Sequence, residues 1–266
     1  MLSSIIIRLS KGPIVDMDTF SVSGSSLGSQ SHLLAALSEV VILLPVFLLL
    51  FTWRGFFQAL LAKLMGDSTA EEDGFLTLNP IAHVDLVGLL TILGVFFIMV
   101  GFFSGAIPRT VLLMMLIIMG VRWTHPVHID ETRFKNYRLG GIITSLAGPF
   151  ANFFLAFISV GILKLILQLN IAPYAIMSFI EIFKTLISIA IFFGVIDLIP
   201  IPPFDGGKML RFVLPYRMQH ILQWLEEYSF FIVLVLFFAP GVSDIFFGSL
   251  HAVSTVIKHF FFTIFF

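Results

Sequence analysis

An arginine and a glutamine four residues apart, Arg54 and Gln58, stand inside the apolar sequence FTWRGFFQALLAKLMGD at 51–67. Positions i and i+4 share one face of a helix, so both side chains point the same way, with Gly55 beside them. A guanidinium carries N–H donors and no acceptor, and it stays charged at any attainable pH. Gln58 is at best a weak neutral ligand, and Gly55 offers no proton acceptor. An isolated arginine inside a bilayer costs roughly 3 kcal/mol on insertion scales, so something polar must face this pair.

The elements that position these residues are set by composition. Hydrophobic residues make up 58% of the 266 and charged residues only 12%, with a mean hydropathy of +1.05, which describes a chain whose solvent is mostly lipid. A soluble helical domain would need far more surface charge. A formal net charge of −1 excludes the basic patch of a nucleic-acid binder. With no cysteine there is neither disulfide nor thiolate chemistry, and the redox compartment is not legible.

Residues 1–32 carry the Ser/Gly tract SVSGSSLGSQS and read as a flexible N-terminal tail without the features of a signal peptide. The first span begins near Leu33 and its helix continues to Met65. That is longer than the bilayer is thick, so it tilts, kinks at Pro45 or protrudes, and Arg54 falls in its inner third. Two apolar runs within 86–121 fit either two spans or one span plus a re-entrant segment. Further spans are expected near 139–169 and 175–199. Then come PIPPFDGG, a basic segment, and one or two spans in 228–266, with the Phe-rich ending 248–266 as a tail or an extra membrane segment. The fold expected is an all-α polytopic membrane protein of about six transmembrane helices, with its main domain at 33–247. If 86–121 is two spans, Lys63, Arg122, Arg133, Lys135, Arg138, Lys208, Arg211 and Arg217 share one side against Arg8, Lys11 and Arg109. The positive-inside rule then makes the loops 63–85, 122–138 and 200–225 cytoplasmic.

Three separated stretches resemble the site-2 protease family of intramembrane zinc metalloproteases, in its compact bacterial branch without a PDZ domain. They are ALLAKLMGDSTAEEDGFLTLNPIAHVD at 59–85, WTHPVHIDETRFKNYR with SLAGPFANFFLA at 123–138 and 145–156, and IDLIPIPPFDGGKML at 196–210. The resemblance implies a site-2 protease core in a bacterial cytoplasmic membrane. The family's first motif, H-E-x-x-H, binds zinc through two histidines on one helix face while the glutamate activates the metal's water. Counted back from Gly66-Asp67, its positions are occupied here by Arg54, Gly55 and Gln58. Asp205 matches the downstream aspartate that gives the third ligand, and Asn152 matches the asparagine that steadies the reacting carbonyl. Asp197 stands where the family usually has asparagine.

Catalytic zinc normally has three protein ligands, and the resemblance leaves only Asp205. No catalytic residue, metal or other cofactor is therefore expected, and the function read from the letters is a pseudoprotease. It would bind or regulate transmembrane segments of other proteins, with the lipid bilayer as its other partner. Two alternatives stay open: an active intramembrane zinc metalloendopeptidase with atypical ligands, and a transporter-like membrane protein. If the family fold holds, Asp205 comes beside Arg54, and the expectation is an ion pair with Gln58 completing the hydrogen bonds. The competing arrangement has Arg54 snorkelling to the interface.

Other groups carry weaker expectations. His83, Asp85, His125 and His128 share a predicted side and are either a new metal site or solvated loop residues. Glu181 and Lys184, at i and i+3, read as a structural pair within a span, or as part of a transport path. Asp197 either has a raised pKa or shares Arg54. Glu39 is placed near the outer interface, and the ending FFFTIFF packs on lipid or binds a partner helix.

Overall fold

The computed structural model describes residues 29–85, 87–88, 90, 127–168 and 173–266, with the side chains of 29–41 and 173–178 outside that description. In chain order the helices are α1 Ser29–Met65, the short α2 Thr69–Glu72 and α3 Pro80–His83, α4 Tyr137–Gln168, α5 Pro173–Asp197, α6 Asp205–Val213, α7 Gln219–Phe238 and α8 Val242–Phe265. Among the described residues five segments are long and apolar enough to cross a membrane: Ile42–Met65, Tyr137–Gln168, Phe179–Asp197, Tyr216–Phe238 and Val242–Phe265. The protein is an all-helical, polytopic membrane protein. The tail 1–28, the runs within 91–121, His125 and the side chain of Glu39 lie outside the described residues. The C-terminal part forms two long helices, and 248–266 belongs to α8 together with the residues before it.

Helix α1, at 37 residues, is about 55 Å long and exceeds the hydrocarbon thickness, with Pro45 inside it. It stops at Gly66, whose φ of +113° lies in the left-handed region that glycine adopts without a Cβ penalty. Just past it the buried Asp67 carboxylate accepts from Thr69 N at 3.0 Å and from Asp130 N at 2.8 Å. Lys135 N donates to Met65 O at 2.9 Å. These bonds tie the end of α1 to the chain entering α4, so both helices leave one anchored corner.

Helix α4 is the central element, packing against α1, α5 and α6. Small residues Ala147, Gly148, Ala151 and Ala156 line its buried face and let neighbouring backbones approach, as membrane helix interfaces require. The core above them contains Phe47, Leu50, Val160, Leu163, Ile187, Ile191 and Ile196. The chain after α5 turns through PIPPF into α6. Gly206 and Gly207 lie against the backbone of Leu198–Pro202, where a Cβ on Gly206 would stand 2.5 Å from Leu198 O. That close approach seats Asp205, the first residue of α6, against α4.

Candidate functional site

Arg54, Gln58, Asp197, Asp205 and Asn152 meet where α1, α4, α5 and α6 converge. Helix α1 supplies Arg54 and Gln58 from adjacent turns, α4 supplies Asn152, α5 ends on Asp197 and α6 begins on Asp205. Arg54 Nη2 donates to Asp205 Oδ2 at 2.6 Å, and Arg54 Nη1 stands 3.2 Å from Asp197 Oδ2. Lys208 Nζ donates to Asp205 Oδ1 at 2.8 Å. Gln58 Nε2 approaches Asp205 Oδ2 at 3.5 Å, a long contact that adds little. Asp197 and Asp205 are buried, and Arg54 keeps 19% of its side-chain surface.

The cluster is charge-neutral: two carboxylates face a guanidinium and an ammonium. Burial works to raise the Asp205 carboxyl pKa, but the charges and hydrogen bonds of Arg54 and Lys208 outweigh it and hold that carboxyl below its ordinary range. Arg54 does not snorkel away from the bundle, and Asp197 shares its guanidinium.

Asn152 is turned differently from the resemblance's expectation. Its Nδ2 donates to Asp197 Oδ2 at 3.3 Å, so the donor expected to steady a carbonyl is directed at a carboxylate. Its Oδ1 is buried without a hydrogen-bond partner. Gly55 lies under the ring of His83, and a Cβ there would come within 2.6 Å of His83 Nδ1.

Sequence reasoning missed three contributors. Lys208 was legible as the residue one helical turn after Asp205. Gly148 was not: a Cβ at that position would meet Asp205 Oδ2 and lie 2.9 Å from Arg54 Nε, so its missing side chain is the room that the ion pair occupies. Trp53 donates from Nε1 to Ala151 O at 3.0 Å and pins α1 to α4 beside the cluster.

The other candidate groups separate. His83 is buried, with Nε2 2.8 Å from Thr77 O, and His128 Nδ1 lies 3.0 Å from Asp73 Oδ2 in an exposed pair. They serve two different loop contacts, and no group of three His, Cys, Asp or Glu side chains suited to a metal occurs among the described residues. Glu181 and Lys184 form no ion pair, contrary to the spacing argument, because both side chains are exposed and free to diverge.

The residues at the convergence do not fit zinc. A zinc cradle presents acceptor atoms, whereas here two cationic groups point donors at the same carboxylate oxygens that a metal would need. What the arrangement does chemically is neutralise buried charge and hold four helices in register.

Comparison with known proteins gives the lineage. The family model described as Peptidase family M50 matches residues 162–240, a stretch that includes Asp197 and Asp205. The protein "Putative zinc metalloprotease YwhC" of Bacillus subtilis (strain 168) is 30% identical over 204 residues, covering 76% of this chain and 82% of the relative. No solved structure matches. A relative of that identity and coverage shows the assignment: the chain belongs to peptidase family M50, the site-2 protease family.

Proposed function

We propose that this site-2 protease relative does not hydrolyse peptide bonds, and that it binds or regulates transmembrane segments of other proteins in a bacterial cytoplasmic membrane. The loops 63–85, 122–138 and 200–225 then face the cytoplasm. The reading is carried by one observation, the Arg54 guanidinium lying between Asp205 and Asp197. A permanent organic cation there repels a dication, and Gly55 leaves no side chain to activate water. The binding half of the reading is supported by the aromatic surface beside the cluster. Phe57, Phe150 and Phe154 stack within 6.4 Å of one another on α1 and α4, and Phe150 and Phe154 are exposed at 58% and 38%.

Metal analysis of the purified protein, with Asp205→Ala beside it, tests the first half. The expected result is zinc far below one per chain in both, and no chelator-sensitive cleavage of a reconstituted single-span substrate. One tightly held zinc per chain that disappears with Asp205→Ala would establish the active metalloendopeptidase instead. The absence of cysteine permits a single Phe150→Cys as a cross-linking site. Defined single-span peptides in proteoliposomes should cross-link there uncut, and failure of every peptide to cross-link would remove the binding half.

A further inference from the structure

Contacts along α4 fix which end of each neighbouring helix lies where. Asp205 at the start of α6 lies against Gly148, while Phe212 near its end lies against Gly141 and 5.3 Å from the Tyr137 ring. Helix α6 therefore runs back toward the first residue of α4. Helix α8 runs the other way. The rings of Phe261 and Phe265 lie 5.4 and 4.9 Å from Phe157, Phe265 covers Gly161, and Lys164 donates to Phe265 O and stands 5.7 Å from the Phe266 ring. Later residues of α8 thus meet later residues of α4, so the two helices are parallel. Phe265 is 23 residues past Val242, about 35 Å of helix, and Gly161 is likewise 23 residues past Arg138. Helix α8 starts at the same end of the bundle as α4.

The chain from the end of α6 to the start of α8 consequently begins and ends on one side, although it contains α7. Distance makes the same point. Arg211 Nη2 donates to Glu226 Oε1 of α7 at 2.9 Å, and its Nη1 stands 3.7 Å from Glu131 Oε1 in the turn before α4. Glu226 is thereby held where α4 begins. Only 12 residues of α7 follow it, about 18 Å of helix against a hydrocarbon layer of about 30 Å. The letters divide at the same place. Up to Tyr228, α7 carries His220, Glu226 and Glu227, with the rings of Trp224 and Tyr228 5.2 Å apart, whereas SFFIVLVLFF beyond it has no charge. Tryptophan and tyrosine favour the depth of lipid headgroups.

We infer that α7 is a surface helix that docks on the lipid leaflet at the α6 end of the bundle and does not span the bilayer. Its first half lies among the headgroups, with Trp224 and Tyr228 at the boundary and Glu226 and Glu227 in water. Its second half enters the acyl chains. Phe230, Phe231, Leu234, Val235 and Phe238 are exposed on one face at i, i+1, i+4, i+5 and i+8, while Val233 on another face is buried in the bundle. Lipid is the occupant of that apolar face because it begins directly past the headgroup-seeking Tyr228. The inference is independent of the metal question, since no residue of α7 belongs to the Arg54 cluster.

The chain has no cysteine, so single cysteines report sidedness without background. A membrane-impermeant maleimide is applied to sealed vesicles of each orientation carrying full-chain variants. Lys135→Cys and Gln168→Cys, exposed before and at the end of α4, mark the two sides. His220→Cys and Pro240→Cys, on either side of the apolar half of α7, should both react from the Lys135 side. Glu227→Cys decides. It is the middle of the segment Tyr216–Phe238, so a spanning α7 would bury it at the bilayer centre and leave it unlabelled, whereas a surface helix labels it as fully as His220→Cys. Labelling of Pro240→Cys from the Gln168 side, or loss of labelling at Glu227→Cys, would overturn the inference. Glu227 is exposed, so its variant carries the test even where lipid shields Pro240→Cys. A disulfide-linked dimer formed through Phe231→Cys would put a second copy on the apolar face and overturn lipid as its occupant.

Discussion

Asp205→Asn removes one charge from the cluster with almost no change of shape, and its cost follows from the contacts. The charge sum moves from zero to +1, with Arg54 and Lys208 left against Asp197 alone. Losing one partner of a buried ion pair costs about 3–5 kcal/mol. Lys208 is more than half exposed and can turn to water, and Arg54 retains Asp197 at 3.2 Å, so the lower end, about 3 kcal/mol, applies. Arg54→Met strands both aspartates and belongs at the upper end, about 5 kcal/mol. The double variant leaves Asp197 with Asn152 and no guanidinium to satisfy, so its cost should fall below the sum by about 2 kcal/mol. Thermal or denaturant unfolding in micelles reads these differences, and Trp53 on the same helix makes tryptophan fluorescence a local reporter. Additive single costs would show that Arg54 and Asp205 do not depend on each other, and the charge-balance reasoning would fail.

Three further outcomes come from the same geometry. Gly148→Ala places a methyl against Asp205 Oδ2 and Arg54 Nε and should cost about 1–3 kcal/mol of unfolding free energy; an unchanged melting temperature would mean the pair is not wedged against α4. Trp53→Phe should cost about 1 kcal/mol by removing the bond to Ala151 O while keeping an aromatic ring, measured in the same unfolding assay. Asp205 has a depressed pKa in the folded protein, so its stabilising contribution is complete above the unfolded value of about 3.9 and is lost as pH falls through the folded one. The stability difference between wild type and Asp205→Asn should therefore shrink as pH falls below about 4, and a difference still unchanged at about pH 3 would contradict the assignment.

Much of the bundle was legible because lipid imposes simple rules on sequence. Long apolar runs gave α1, α4 and α5, the cost of a lone guanidinium in lipid marked Arg54, and the resemblance to the site-2 proteases supplied Asp205 as its partner. What stayed hidden depends on side-chain direction and backbone approach. The letters place Asn152 among the site residues, but only the structure shows its Nδ2 turned to Asp197. Gly148 and Gly55 act through the space they leave, which no local spacing encodes. The Glu181–Lys184 pair failed because i and i+3 spacing permits contact without enforcing it.

The same contacts explain why no single substitution leads from this cluster to a zinc cradle. Arg54→His alone would leave Asp197 and Asp205 sharing only the exposed Lys208, so like charges would repel where a guanidinium now balances them. It would also supply two ligands where catalytic zinc takes three. Gln58→His alone adds an imidazole next to the guanidinium and leaves the cation in place. Gly55→Glu alone drives a Cβ into the His83 ring, so the loop held by the bond between His83 and Thr77 O must first give way. Even with all three changed, Asn152 would still donate to Asp197 until that carboxylate was also removed. Each step taken singly worsens charge balance or packing before any metal can bind, so the four positions are coupled through the ion cluster and must change together.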